Sequence, residues 1–239
     1  MKVSIVSAVA VALASFFVSA QDSARVRDLD LRIQVGIEKS QPRLSKFIPR
    51  PEDTPLGDPH LMVQPDEQIA PLIRMIGEMP GTRGFYYEIG GRFEGFSRLD
   101  YNRAYFDRHI DARDVKVSYS YFEVGVAYIF AARWGLSLGA HLEGRLERIK
   151  TSGLIYQNEV PGRLDGTASY LRPWGRVSMD FTFNNSGRFR PFIGAEMAMP
   201  LMERQQKNAY WAVDQPQDSR LLESIAPAQS AACYIGFRL

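Results

Sequence analysis

An all-β chain, closing as a single antiparallel up-and-down barrel of eight strands, is the fold class this sequence predicts. Three observations predict it. Apolar and polar residues alternate with period two in segment after segment. Glycine and proline punctuate those segments as turn signals. The connections fall into short and long ones, the layout of hairpins with tight turns at one end and extended loops at the other.

Taken in order, Leu29, Leu31, Ile33, Val35 and Ile37 interleave with Asp28, Asp30, Arg32, Gln34 and Glu38. Phe85, Tyr87, Ile89 and Phe93 interleave with Tyr86, Glu88, Arg92 and Glu94. A third strand runs from about Val115 to Phe130, where apolar parity passes from Val117/Tyr119/Tyr121 to Phe122/Val124/Val126/Tyr128. One inserted residue, a β-bulge near Tyr121-Phe122, is expected there. The fourth strand is WGLSLGAHLEGRLER (134–148), with leucines on one face and His141, Glu143 and Arg145 on the other. The fifth spans about Ala168 to Phe183, the sixth Phe189 to Pro200, and the last is the C-terminal SAACYIGFRL.

That makes seven, and single-chain bacterial barrels use an even number. Parity therefore asks for a returning strand within 41–82, and 69–79 is the best segment, turning through Pro80-Gly81-Thr82. Ile69, Leu72, Ile73 and Ile76 also fit a helix, and Pro71 suits a helix start, so topology alone favours the strand. The Pro-rich stretch 41–68, with 98–114, 150–166 and 201–228, is expected to form the long loops.

Composition limits the partners. Twenty-nine Lys and Arg stand among 27 Asp and Glu, a net charge of +2, which excludes a nucleic-acid binder. Residues 1–20 have one positive charge, an apolar centre and small residues at Val18-Ser19-Ala20, as in a cleaved signal peptide. The mature chain, 21–239, is then an exported barrel, and its single cysteine, Cys233, reads as a small hydrophobe on the apolar parity of the last strand.

Which face meets water follows from length and charge. Leu136 to Leu146 spans roughly 36 Å at ~3.3 Å per residue, enough to cross a ~25 Å apolar band when tilted. A charge facing lipid near the midplane costs ~2–4 kcal/mol for Arg. The charged faces are therefore expected inside, forming an ion-pair network from Arg32, Glu88, Arg92, Glu94, Glu123, His141, Glu143, Arg145, Arg176, Asp180, Arg190, Glu196 and Arg238. Leu136, Leu138, Leu142, Leu146, Val177, Met179, Phe181, Ile235, Phe237 and Leu239 are expected to face lipid. Phe85, Tyr87, Phe130, Trp134, Phe183 and Phe189 gather near the short turns, as an interfacial aromatic girdle does. The competing arrangement is a soluble barrel that exposes its charges to water.

On the export signal, Arg190-Pro191-Phe192-Ile193-Gly194-Ala195, LSLGAHLEGRL and YIGFRL, the chain resembles the eight-stranded outer-membrane β-barrels of the opacity-protein-like and outer-membrane-protein-A-like group, over about 29–239. The resemblance implies a bacterial outer-membrane location, outer-membrane lipid as surroundings, and recognition of the last strand by the barrel-assembly machinery. Ile235, Phe237 and Leu239 match that signal, although the terminal residue is Leu and not Phe.

Chemistry is sparse. Ser137, His141 and Glu143 share one strand face, a geometry that rarely forms a nucleophile–base relay. The His-x-Ser-Asn motif of lipid A deacylase-like barrels is absent. His60 and His109 have Asp58, Asp107 and Asp111 near them but no metal-ligand spacing, so no catalytic residue, metal or cofactor is expected. Ending at its last strand, the chain is expected to carry no separate peptidoglycan-binding domain. The function implied is a plugged scaffold with surface loops for adhesion or ligand contact; a narrow pore and a barrel enzyme acting on lipid or peptide are the alternatives.

Overall fold

The computed structural model describes residues 30–42, 62–65, 67–105, 108–131, 133–157, 160–163, 165–183, 189–202 and 227–239. Segment 1–20, expected as a signal peptide, His60, the connection 184–188 and most of the stretches 41–68 and 201–228 lie outside these residues.

The strands are β1 (Leu31–Pro42), β2 (Met62–Pro65), β3 (Gln68–Glu78), β4 (Phe85–Tyr105), β5 (Arg108–Ala131), β6 (Leu136–Gln157), β7 (Val160–Arg163), β8 (Gly166–Thr182), β9 (Arg190–Pro200) and β10 (Pro227–Arg238). Eight of them pair antiparallel in the order β1–β3–β4–β5–β6–β8–β9–β10, and β10 returns to β1, so the sheet closes. Closure leaves no open edge on the barrel wall. The short strands β2 and β7 continue the wall beyond it, against the far ends of β4 and β6. The returning strand that parity required is β3, and no helix forms there. Pro71 is accommodated opposite Ile37, since a proline lacking an N–H costs only the donor on its own side.

The turn end is compact. Thr82 donates from its backbone to Met79 O at 3.3 Å, with Gly81 in the left-handed region at φ 79°. A single 3-10 turn, Arg133–Gly135, joins β5 to β6 and carries Trp134 at φ 61°. At the closing seam, Leu239 N donates to Leu31 O at 2.9 Å.

Two sequence expectations change here. β5 has no bulge near Tyr121-Phe122, and its inward parity runs unbroken through Val117, Tyr119, Tyr121 and Glu123; its own irregularity lies farther out, between Arg113 and Lys116. The bulge at this height is in β4, where pairing with β5 steps from Arg92↔Tyr121 to Gly95↔Tyr119. The tyrosines read as apolar in the sequence, but their hydroxyls find partners inside, so no parity shift is needed. Arg92 stitches the irregular place: its guanidinium donates to Tyr119 O at 2.7 Å and to Gln68 O at 3.2 Å.

The second change concerns 98–114 and 150–166, expected as loops. They are largely strand: β4 and β5 pair out to Tyr105↔Arg108, with a register shift between Leu99 and Tyr101, and β6 extends to Gln157 with β7 folded back on it. Outside an apolar solvent, water satisfies both faces of a ribbon, so pairing persists without the alternation that marked the strands in the sequence. Of the 41–68 stretch, the described part is strand at both ends.

Close approach of β1 and β10 depends on Gly36, where a Cβ would lie 2.4 Å from Cys233 O and 2.7 Å from Tyr234 Cβ. Gly36→Val is expected to block closure, with at least an order-of-magnitude loss of the compact, heat-modifiable form on gels; Gly144→Ala, whose Cβ would meet nothing nearer than 3.7 Å, is expected to assemble as the native chain does.

Candidate functional site: the ionic lumen

Alternation along each strand sends one set of side chains inward, and that set is ionic. Arg32, Glu38, Arg74, Glu88, Arg92, Glu123, His141, Glu143, Arg145, Glu147, Arg176, Asp180 and Glu196 are all buried. Three arginines and three glutamates close a ring of alternating charge. Arg74 (β3) bridges Glu123 (β5) and Glu196 (β9), the latter at 2.8 Å. Arg176 (β8) reaches Glu196 at 2.6 Å and Glu143 (β6) at 3.0 Å. Arg145 (β6) returns from Glu143 at 2.6 Å to Glu123 at 3.5 Å. Arg176 also pairs with Glu88 on β4, and Arg145 lies 3.8 Å from Glu38 on β1.

Further layers stack on the ring. Towards the far end, Glu38 meets Arg92 at 3.3 Å and accepts from Tyr121 OH at 2.5 Å. Above that, Glu147 accepts from Tyr119 OH at 2.7 Å, Trp174 Nε1 at 3.1 Å and Arg172 Nε at 2.5 Å. The Arg145 guanidinium is sandwiched between the Tyr121 and Trp174 rings, 4.2 Å from each centroid. Towards the turn end, Asp180 takes Arg32 at 3.4 Å and the Tyr234 hydroxyl. A small apolar cluster of Ile76, Tyr86, Ala127 and Ile129 fills the same end.

Most of the interior residues expected from the sequence are brought together in this way. Glu94, Arg190 and Arg238 are the exceptions, and Glu94 is the one turned to the outside. It sits at the β4 bulge, faces outward, and bonds Ser118 Oγ at 2.6 Å and Lys150 Nζ at 3.3 Å. The bulge reverses side-chain parity after Arg92, which the unbroken charge pattern of the sequence concealed. Arg190 and Arg238 are half-buried at the turn end, opposite each other in register, and not in the ring. Arg74, Glu147, Arg172 and Trp174 were missed. Arg74 lay in a segment that also read as a helix, and the others lay beyond the apparent membrane crossing, although their even or odd parity marked them as inward.

Ser178, His141 and Glu88 form a relay: Ser178 Oγ is 2.8 Å from His141 Nε2, and Glu88 is 2.9 Å from Nδ1. Ser178 is on the adjacent strand β8 and Glu88 on β4, one strand beyond β5; neither is the Ser137 or Glu143 of His141's own strand. Ser178 is 7% exposed, and Glu88 is also claimed by Arg176, which lies 3.0 Å from His141 Nδ1. The relay is therefore part of the lumen's hydrogen bonding and presents no attacking hydroxyl to solvent. His109 lies on β5, and among the described residues no group of three or more potential metal ligands occurs.

The outward set is apolar. Leu142, Leu146, Val177, Met179, Phe181, Ile235, Phe237 and Leu239 are exposed, and Leu136 and Leu138 are half-buried on the same face. Phe85, Tyr87, Phe130, Trp134, Phe183 and Phe189 are all exposed around the turn end, Trp134 to 90%. Cys233 is exposed among the outward residues of β10.

An interior of paired charges inside an exterior of exposed hydrophobes reverses the arrangement of a water-soluble barrel. The class this defines is a transmembrane β-barrel. In fold the chain is similar to Neisserial surface protein A, with 8% identity over 88% of this chain and 96% of that one and a TM-score of 0.44. It is similar to the attachment invasion locus protein of Yersinia pestis, with 11% identity, 89% and 100% coverage and a TM-score of 0.43. The outer membrane protein OprG of Pseudomonas aeruginosa gives 7% identity, 95% coverage of that chain, 88% of this one, and a TM-score of 0.44. No protein-family model and no curated protein matches the sequence.

Removing one ring member leaves its buried partners short of charge. Arg176→Met leaves Glu143 with Arg145, Glu196 with Arg74 and Glu88 with His141, each lacking one buried cation, and is expected to cost about 3–5 kcal/mol in urea unfolding of the bilayer-embedded chain. Lys39→Met, which removes only the exposed 2.6 Å pair with Glu67, is expected to change stability by less than about 1 kcal/mol.

Proposed function

We propose that this chain is an integral protein of the bacterial outer membrane, a closed scaffold whose lumen is plugged by ion pairs. Its far-end ribbons and loops are the parts that touch ligands or other surfaces. The observation that carries this is the reversed polarity: exposed Val, Leu, Met and Phe outside, with arginine and glutamate paired inside.

The plugged state is supported by how the ring spans the lumen. It links β3, β5, β6, β8 and β9 through buried side chains, and one of its members, Arg145, is held between the Tyr121 and Trp174 rings. Ions moving through would have to part these pairs at a cost of several kcal/mol each. The contact role is supported by length. β4 and β5 have 21 and 24 residues, about twice the ten or so that cross an apolar band. Their outer halves stand clear of it as a paired ribbon, with β2 alongside. The aromatic ring around the turn end suits the periplasmic interface, and the outward Ile235, Phe237 and Leu239 suit recognition by the assembly machinery.

Planar-bilayer recording is expected to give no stable conductance, and sustained single-channel steps would overturn the plugged reading. Orientation is read with cysteine substitutions in a Cys233→Ala background. Arg98→Cys, on the far-end ribbon, is expected to react with a membrane-impermeant maleimide on intact cells. Arg83→Cys, in the exposed turn before β4, is expected to react only after the outer membrane is permeabilised. Equal labelling of both in intact cells, or a chain soluble without detergent, defeats the assignment.

A further inference from the structure

Directly beyond the apolar band, the outer wall changes character unevenly around the barrel. On β4, β5 and β6, four cations face outward side by side: Arg98, Lys116, Arg148 and Lys150. Register sets Arg98 opposite Lys116, while Lys150 and Arg148 lie opposite Ser118 and Ser120. With strands ~4.8 Å apart and alternate residues ~6.7 Å apart, the four bases are spread over roughly 16 Å of wall, and Lys116, Lys150 and Arg148 over about 14 Å. Among the described residues one carboxylate, Glu94, shares the patch, 3.3 Å from Lys150.

Immediately below the patch the wall is strongly apolar, with Phe93, Phe96, Val124, Leu146 and Leu171 exposed, Leu171 to 70%. The two surfaces meet at Phe96, whose ring carries the Lys116 ammonium 3.9 Å from its centroid. The described residues of β1 and β10 at this height show no such excess. Lys39 on β1 is neutralised by Glu67 at 2.6 Å, and Lys39 and Gln41 hold the Glu67 carboxyl below the usual carboxylate range. Gln41 and Gln229 join β1 to β10 through an amide–amide bond. Lys116, Arg148 and Lys150 bring three positive charges to the one described carboxylate beside them, Glu94, and a surplus of that sign favours a bound anion.

The geometry points to a binding site for a phosphorylated glycolipid of the outer leaflet: acyl chains against the Phe93–Leu146–Leu171 surface, headgroup phosphates against Lys116, Arg148 and Lys150. This rests on the outer-membrane reading above, which sets the far ends of the strands at the outer leaflet. Guanidinium and ammonium groups bind phosphate oxygens through charge-assisted hydrogen bonds, and the apolar wall below selects an amphiphile over a soluble anion.

The test uses the full chain refolded into phosphatidylcholine vesicles containing bisphosphorylated lipid A or its dephosphorylated counterpart. Lipid retained after detergent extraction is counted by native mass spectrometry. The native chain is expected to retain the bisphosphorylated form about tenfold more than the dephosphorylated one. The Lys116→Gln/Arg148→Gln/Lys150→Gln variant is expected to lose that preference, single Lys116→Gln to lose part of it, and Lys39→Gln to keep it. Retention of phosphatidylglycerol from a third set of vesicles to the same degree would overturn the site in favour of a general anionic surface. Insertion is followed separately by heat-modifiable migration. A chain that inserts but treats both lipid A forms alike overturns this inference and leaves the outer-membrane reading intact, whereas a chain that never inserts overturns both.

Discussion

The barrel depends on the closed ring Arg74–Glu196–Arg176–Glu143–Arg145–Glu123. Six full charges in an interior this narrow are costly to strip of water, and they are tolerated because each arginine serves two carboxylates and each carboxylate two arginines. The ring is neutral by composition. It also locks register, since slipping any strand by one residue would turn its charges out and its hydrophobes in.

Much of the remaining structure answers to that constraint. Aromatic groups flank the arginines where planar contact is available, as Tyr121 and Trp174 do around Arg145. Tyrosine hydroxyls at Glu38, Glu147 and Asp180 take up carboxylate lone pairs that arginine leaves open. His141, held between Ser178 and Glu88, has the form of a catalytic relay and the surroundings of a packed interior. With no hydrocarbon core of the usual size, the wall takes its apolar stabilisation from outside, on the Val, Leu, Met and Phe of alternate positions. Inside and outside are two consequences of one alternation.

The strands of one crossing were legible because lipid on one side and a packed ionic lumen on the other impose strict period two. β6, β8, β9 and β10 follow it closely, and β3 followed from strand parity. Past the apolar band that pressure ends, and the extensions of β4, β5 and β6 carry no such signature, so 98–114 and 150–166 read as loops. Tyr119 and Tyr121 misled the reading of β5, because an amphipathic ring counts as apolar in a pattern but can donate to a buried glutamate. Glu94 was misplaced for the complementary reason: the bulge lies in the partner strand, and one inserted residue reverses every side chain after it.

By itself the sequence determined which segments alternate with period two and that one face of them carries a surplus of charge. Those are properties of local alternation. The tertiary structure alone decided which charge meets which. Arg74 and Glu196 stand 122 residues apart, and Arg32 and Asp180 stand 148 apart, so their pairing exists only once closure brings opposite walls together. Local periodicity has no access to distances across a lumen; those follow from strand tilt and register after the sheet has closed.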